Sequence, residues 1–305
     1  MILITGSKGL IGYHLKKQFD VLGIPWLGID VGYTTNHSEY GDIQDLELLK
    51  KLAAKVSGIV HLAAVSRVIT GEKDPELCWN INVLGTRHIL EAARASATKP
   101  WVIYASSREV YGQQKKLPVA EEATLAPINV YAQSKVAAEQ LIMEYRENGL
   151  QTAILRFSNV YGSIDDHADR VIPAFCRVAA QGGTIRIDGG ENTFDFTHIE
   201  DVVDGIIKVI DKLDRGSHDF QTTHFTSGQP TTLLKAAEVA KSVSKNRVNF
   251  VEAPSRSFDV STFYGDTAHA FRTLGWKTKT GIVEGISQLV KQFELKFSRD
   301  HFTGL

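Results

Sequence analysis

Met1-Ile-Leu-Ile-Thr5-Gly6-Ser7-Lys8-Gly9-Leu10-Ile11-Gly12 decides the fold: a short apolar run broken by three glycines spaced three apart. Tyr13-His14-Leu15-Lys16-Lys17-Gln18-Phe19 follows in helical rhythm. The apolar run reads as a buried strand, and the glycines open a helix. Such a turn brings bare backbone N–H groups and a helix N-terminus up to a pyrophosphate. Side chains at Gly6, Gly9 and Gly12 would block that approach. Asp30 ends the next apolar run, Trp26-Leu-Gly-Ile-Asp30, at about the 20-residue distance where a carboxylate can hold the ribose hydroxyls of NAD. The same acid repels a 2′-phosphate, and no arginine follows through Tyr33-Thr-Thr-Asn-His37 to neutralise one.

Outward from this turn, the chain alternates strand and helix patterns to about residue 160, which predicts an α/β fold with a parallel sheet wrapped by helices. The expected strands are Ile2–Thr5, Trp26–Asp30, Gly58–Leu62, Trp101–Ala105 and Gln151–Arg156, with helices over Asp45–Lys55, Trp79–Ala95 and Val130–Asn148. After Gly162 the pieces become shorter and irregular, apart from a helix over Ile199–Leu213 that packs back on the sheet. Residues 1–162, with 194–215, are therefore expected to form a doubly wound dinucleotide-binding domain of Rossmann type. Residues 163–193 and 216–305 are expected to form a smaller, discontinuous α/β substrate-binding domain.

Composition narrows the function classes. The 305 residues are 43% hydrophobic and 23% charged, with a net charge of −1 and no basic block. A nucleic-acid surface needs clustered positive charge, so that class is not expected. No apolar run is long enough to span a bilayer, and no signal-peptide pattern opens the chain. Cys78 and Cys176 belong to no Cys-x-x-Cys unit and read as free thiols in a reducing cytoplasm. Asp165-Asp166-His167-Ala168-Asp169 is dense in ligating side chains but lacks the spacing of a metal site. No metal is expected.

Tyr131-Ala-Gln-Ser-Lys135 puts a phenol and an ammonium one helical turn apart. A free tyrosine, with a pKa near 10, is a poor base at neutral pH, and a nearby cation is expected to move it toward the working range. Upstream lies Tyr104-Ala-Ser106-Ser107-Arg108-Glu109-Val-Tyr111-Gly112, a strand end running into two hydroxyls. Downstream, Leu155-Arg156-Phe157-Ser158-Asn159-Val160-Tyr161-Gly162 is a second strand end of the same character.

In this order, with Asp42-Ile43, His61-Leu-Ala-Ala64 and Asn82-Val-Leu-Gly-Thr86, the chain resembles the extended short-chain dehydrogenase/reductases that act on nucleotide sugars. The resemblance implies that Tyr131 is the catalytic base, with Lys135 as its partner at the nicotinamide ribose. Ser107 would hold the reacting sugar oxygen. The cofactor contacts would be Gly6, Gly9, Leu10, Ile11, Gly12, Asp30, Asp42, Ile43, Leu62, Ala63, Ala64, Asn82, Ser106 and Phe157, besides Tyr131 and Lys135. Asn159, Arg170, Val171, Arg256 and Asp259 would meet the substrate, Asn159 and Arg256 at its phosphates. The Ser106 hydroxyl could equally cap its own backbone.

Two positions depart from the family pattern. Similar proteins usually carry an arginine ahead of Asp195-Phe196, where this chain has Phe194. One anion contact is therefore missing, and Arg170 could replace it. Glu109 resembles the carboxylate that handles a second proton in sugar-nucleotide dehydratases and decarboxylases, but Arg108 stands where deoxysugar dehydratases have an acid. The alternative for Glu109 is a loop carboxylate paired with Arg108.

The expected activity is NAD-dependent epimerisation at C4 of a nucleotide-linked hexose through a 4-keto intermediate. The competing readings are a 4,6-dehydratase, a decarboxylase or a 4-keto reductase of the same family, and, outside enzymes, an NAD-binding sensor or scaffold. The resemblance also implies a homodimer through the helices Trp79–Ala95 and Val130–Asn148, where Ala92, Ala93, Ala137, Ala138 and Leu141 suit close packing.

Overall fold

In the computed structural model, which describes residues 1–216, 220–255 and 260–303, the opening run becomes strand β1 (Ile2–Thr5) and is buried throughout. The glycine turn leads into helix α1 (Leu10–Leu22). The alternation continues through β2 (Trp26–Ile29), α2 (Leu46–Ala53), β3 (Gly58–His61), α3 (Val68–Lys73), α4 (Pro75–Trp79), α5 (Gly85–Ala95), β4 (Trp101–Ser107), α6 (Val130–Glu147) and β5 (Thr152–Phe157). Asp45 caps α2 by accepting the Leu48 N–H at 2.9 Å. A π-helical turn, Asn80–Leu84, joins α4 to α5, so the helix expected over Trp79–Ala95 contains one widened turn.

The remainder comprises β6 (Asn159–Tyr161), α7 (Val171–Gln181), β7 (Gly183–Asp188), β8 (Thr193–His198), α8 (Ile199–Asp214), β9 (Thr223–Phe225), β10 (Pro230–Thr232), α9 (Leu233–Val243), β11 (Val248–Ala253), α10 (Ala268–Leu274) and α11 (Ile282–Thr303).

The main sheet is parallel, in the order β2-β1-β3-β4-β5-β9. Alternate residues feed opposite faces: Ile2 and Ile4 join a core with α1 and α8, while Leu3 joins a second core with α2, α5 and α6. The chain reverses direction across the sheet beside β1, which places a crevice at the C-terminal ends of β1 and β3. β6, β8 and β10 form a second sheet, and β7 pairs with β11 in a third. Ile172, Phe175, Ile187, Phe196, Leu233 and Leu289 form a separate core among these elements and α7, α9 and α11.

One expectation is corrected. Residues 216–305 do not all belong to the smaller part, because Thr223–Phe225 extends the main sheet beside Leu155–Phe157. Phe225 packs on Phe157 and on Trp276, with ring centroids 5.8 and 4.7 Å apart, and this burial fixes a strand too short to show a sequence period. The small residues of α5 and α6 suit close helix packing in any setting, and the fold uses most of them internally. Ala92, Ala93, Ala138 and Leu141 lie in the second core, so they serve the chain's own packing. The exposed large apolar side chains on these elements are Leu77 and Trp79 on α4, Leu84 in the π turn and Met143 on α6. Among the described residues, no helix is long and apolar enough to cross a membrane.

Candidate active site

A cleft of about 900 Å³ runs from the glycine turn to β7 and β8, large enough for an extended small molecule. Its first wall is the turn itself. A Cβ on Gly6 would come within 2.7 Å of the Ala63 nitrogen, and one on Gly12 within 2.3 Å of the Gly6 oxygen. These contacts pull α1 tight against β1 and β3. The first intrahelical bond runs from Tyr13 N to Gly9 O, and no side chain caps the helix. The N–H groups of Leu10, Ile11 and Gly12 are therefore the unpaired first turn of α1, on residues that line the cleft. The Asp30 carboxylate accepts from Lys8 N at 3.0 Å and Gly32 N at 2.7 Å, which fixes it at the end of β2. Behind the turn, Lys16 bridges Glu39 at 2.7 Å, and the Ser7 hydroxyl donates to the same carboxylate at 2.8 Å. Gly9, Asp42, Ile43, Leu62, Ala63 and Ala64 complete this wall. A bare-backbone cradle beside a held carboxylate fits the diphosphate and ribose of NAD.

Asn82 is placed differently. It does not border the cleft but lies beneath it, accepting from Val65 N at 2.8 Å and donating to Val65 O at 3.1 Å and Ser134 Oγ at 2.9 Å. Its role is to pin the loop after β3 to α6. His61 is a core residue, bonded to Thr5 at 2.8 Å and to Thr86 at 3.0 Å. His198 is buried edge-on against Tyr161.

The second part of the site is built on β4, β5 and α6. Asn129 caps α6 by accepting from Ala132 N at 2.8 Å, which places Tyr131 in the first turn and Lys135 one turn deeper. Ser107 ends β4; its hydroxyl accepts from Glu109 N at 3.2 Å and is hydrogen-bonded to Tyr131. Burial pushes the Tyr131 phenol up to about 12 against the opposing bond from Ser107. Burial also pulls Lys135 down to about 8, and its ammonium donates to Ala105 O at 2.9 Å. The expectation that Lys135 brings the phenol into the working range is therefore corrected: burial is the largest influence on Tyr131, and the opposing contributions come from Ser107 and Arg170.

Ser106 neither caps its backbone nor aims its hydroxyl at the reacting centre. It donates to Glu139 Oε1 at 2.5 Å, within a buried network where Arg156 holds Glu139 at 2.6 Å and Tyr111 at 2.5 Å. Glu109 is buried in a short 3₁₀ turn, paired with Arg108 at 2.7 Å and receiving the Asn129 amide at 3.2 Å. Arg108 also donates from Nε to Asn159 Oδ1 at 3.3 Å, and its guanidinium lies 4.8 Å from the centroid of Phe194. Phe157, Asn159, Arg170 and Val171 all border the cleft, with Arg170 Nε 3.5 Å from Asp166. Arg256 and Asp259 lie outside the described residues.

Other lining residues were not found by the sequence reading. Arg67 reaches Asp169 at 2.5 Å, joining the loop after β3 to the loop before α7. Its place after a strand C-terminus was the usable signal. Arg186, paired with Asp188 at 2.7 Å on β7, carried none. Among the described residues, no three His, Cys, Asp or Glu side chains converge as a metal site.

The NAD dependent epimerase/dehydratase family matches the chain over residues 2–222. A UDP-glucose 4-epimerase of Lacticaseibacillus casei is 30% identical over 305 residues, covering 90% of this chain and 91% of that protein. UDP-glucuronate 4-epimerase 2 of Arabidopsis thaliana is 27% identical over 96% of this chain and 75% of its own length. Among solved structures, MoeE5 in complex with UDP-glucose and NAD aligns with a TM-score of 0.88 and 26% identity, covering 97% of this chain and 99% of that one. The chain belongs to the NAD-dependent epimerase/dehydratase family.

Proposed function

We propose that this member of the family holds NAD at the glycine turn and inverts C4 of a UDP-linked hexose or hexuronate through a 4-keto sugar. The observation that carries the reading is the convergence of Ser107, Tyr131 and Lys135 on one cleft with the cradle. Relatives named as UDP-sugar 4-epimerases match over nearly the whole chain. When bound, NAD supplies the hydride acceptor and donor for C4. Tyr131 exchanges the proton of the C4 hydroxyl, Ser107 holds that oxygen, and Lys135 orders the phenol and the nearby ribose. Ionisation of the phenol in the forward step requires added positive charge beside it. Glu109 sits next to Ser107 as a dehydratase acid would, but Arg108 and Asn129 engage both its oxygens, which favours epimerisation. Incubation with UDP-glucose, UDP-galactose and UDP-glucuronate, followed by NMR of the products, tests the reading. A 4-epimer is expected from at least one of them, and a dehydrated or decarboxylated product, or none, contradicts it.

We also infer a cytoplasmic homodimer joined through α4–α5 and α6. Exposed Trp79, Leu84 and Met143 on these elements support it, as do two buried free thiols. Light scattering at micromolar concentration should report twice the 33.7 kDa chain mass, and a monomer would remove the dimer.

A further inference from the structure

Three side chains spaced four apart on α6, Tyr131, Lys135 and Glu139, meet three consecutive residues at the end of β4. Tyr131 is hydrogen-bonded to Ser107, Lys135 donates to Ala105 O at 2.9 Å, and Glu139 Oε1 accepts from the Ser106 hydroxyl at 2.5 Å. The first two contacts belong to the reaction centre. The third is buried beneath it, with Ser106 4% and Glu139 2% exposed. Ser106 is in register with Arg156 of β5, whose Nε reaches Glu139 Oε1 at 2.9 Å and whose Nη2 reaches Oε2 at 2.6 Å. Helix, strand end and neighbouring strand are therefore joined at one carboxylate.

A buried ion pair is an inefficient way to stabilise a core, since desolvation offsets its attraction and apolar side chains of similar volume often serve as well. What a fully bonded network supplies is direction: it accepts one arrangement of its donors, where an apolar contact tolerates sliding. Sliding matters here. Ser107 follows Ser106 directly, and displacing its hydroxyl by ~1 Å is enough to spoil a reactive geometry.

Charge adds a second consequence. Besides Glu139, the titratable groups around Lys135 are His61 on β3, Cys78 on α4, Tyr104 on β4 and Tyr131. Burial pushes His61 down to about 3 and raises the Cys78 thiol and both phenols, so all four are neutral in the working range. Glu139 is then the anion that faces the ammonium, one turn along the same helix face.

We propose that Glu139 is a positioning residue of the reaction: through Ser106 it holds the end of β4 in the register that brings Ser107 to Tyr131, and its charge anchors the Lys135 ammonium. The inference rests on the Ser107, Tyr131 and Lys135 chemistry proposed above.

The test uses the NAD-loaded enzyme and the UDP-sugar it turns over, with Ser106→Ala, Ser106→Thr and Glu139→Gln. Ser106→Ala cuts the tie but keeps the pair between Glu139 and Arg156. Turnover should fall by about tenfold to a hundredfold, with KM and NAD affinity within about threefold of the parent. Ser106→Thr keeps the hydroxyl and should restore most of the rate. Glu139→Gln should also move the alkaline limb of the kcat profile to lower pH by about one unit, because Lys135, already pulled down to about 8 by burial, loses its facing anion. Ser106→Ala should leave that limb in place. Lower melting temperatures with parental kcat and an unmoved limb would make the network purely structural and overturn the proposal. A loss of turnover that Ser106→Thr does not restore would overturn it too. If Glu139→Gln does not fold, Ser106→Ala and its rescue decide alone. A parent inactive on every UDP-sugar offered overturns the underlying chemistry, and this role with it; an active parent confines any failure to the tie.

Discussion

Lys135 Nζ lies 5.9 Å from the centre of the Tyr131 ring and donates a hydrogen bond to the Ala105 carbonyl at 2.9 Å. The ammonium is thus an organiser of the site floor as well as a charge beside the base. Tyr131→Phe should keep the fold and NAD affinity, because the ring remains, while turnover falls by roughly a hundredfold to ten-thousandfold. Thermal melting and NAD titration beside the rate separate the two effects, and near-normal turnover would remove Tyr131 from the chemistry.

Glu109→Gln should cost no more than about tenfold in turnover, roughly 1.4 kcal/mol in barrier. An epimerase moves only the C4 hydroxyl proton, and Glu109 is already engaged by Arg108 at 2.7 Å. A dehydratase must also remove the C5 proton, for which this carboxylate is the group beside Ser107. A variant that stalls with reduced cofactor, seen by absorbance, would favour dehydration.

Asp30 should select NAD over NADP. Its carboxylate is fixed by Lys8 N and Gly32 N at the end of β2 and would face a 2′-phosphate with like charge. Asp30→Asn should narrow the preference, read by titration of both cofactors. A parent that binds them equally would place Asp30 away from the ribose.

His61 gives the fold a pH dependence. Burial between Thr5 and Thr86 pushes it from 6.5 to about 3. The unfolded chain then binds the extra proton, so this contribution is fully present above 6.5 and is lost as pH falls toward 3. The full span is worth roughly 5 kcal/mol. Denaturant midpoints for the parent should fall between about pH 7 and pH 4, and His61→Asn should flatten that slope. An unchanged slope would show that His61 does not carry it.

The glycine turn, the five leading strands and the Tyr131–Lys135 helix were legible because each is set by local pattern: an apolar run, a glycine spacing, a helical turn. Thr223–Phe225 was not, since three residues carry no period and their place follows from packing on Phe157 and Trp276. Asn82 was assigned to the cofactor wall because its segment reads as a motif, but its side chain turns inward to Val65 and Ser134. Arg108 shows the same limit. Its neighbour Phe194 is distant in sequence, and only the folded chain brings the cation onto that ring.

UDP-glucose carrying deuterium at C4 tests the central claim most directly, if this sugar is turned over; otherwise the same label belongs on the sugar that is. In an epimerase the label leaves C4 and returns to the opposite face of C4, so the 4-epimer should retain it there. NMR of the product reads its position. Deuterium at C6 of a dehydrated sugar, or its loss to solvent, would contradict C4 epimerisation.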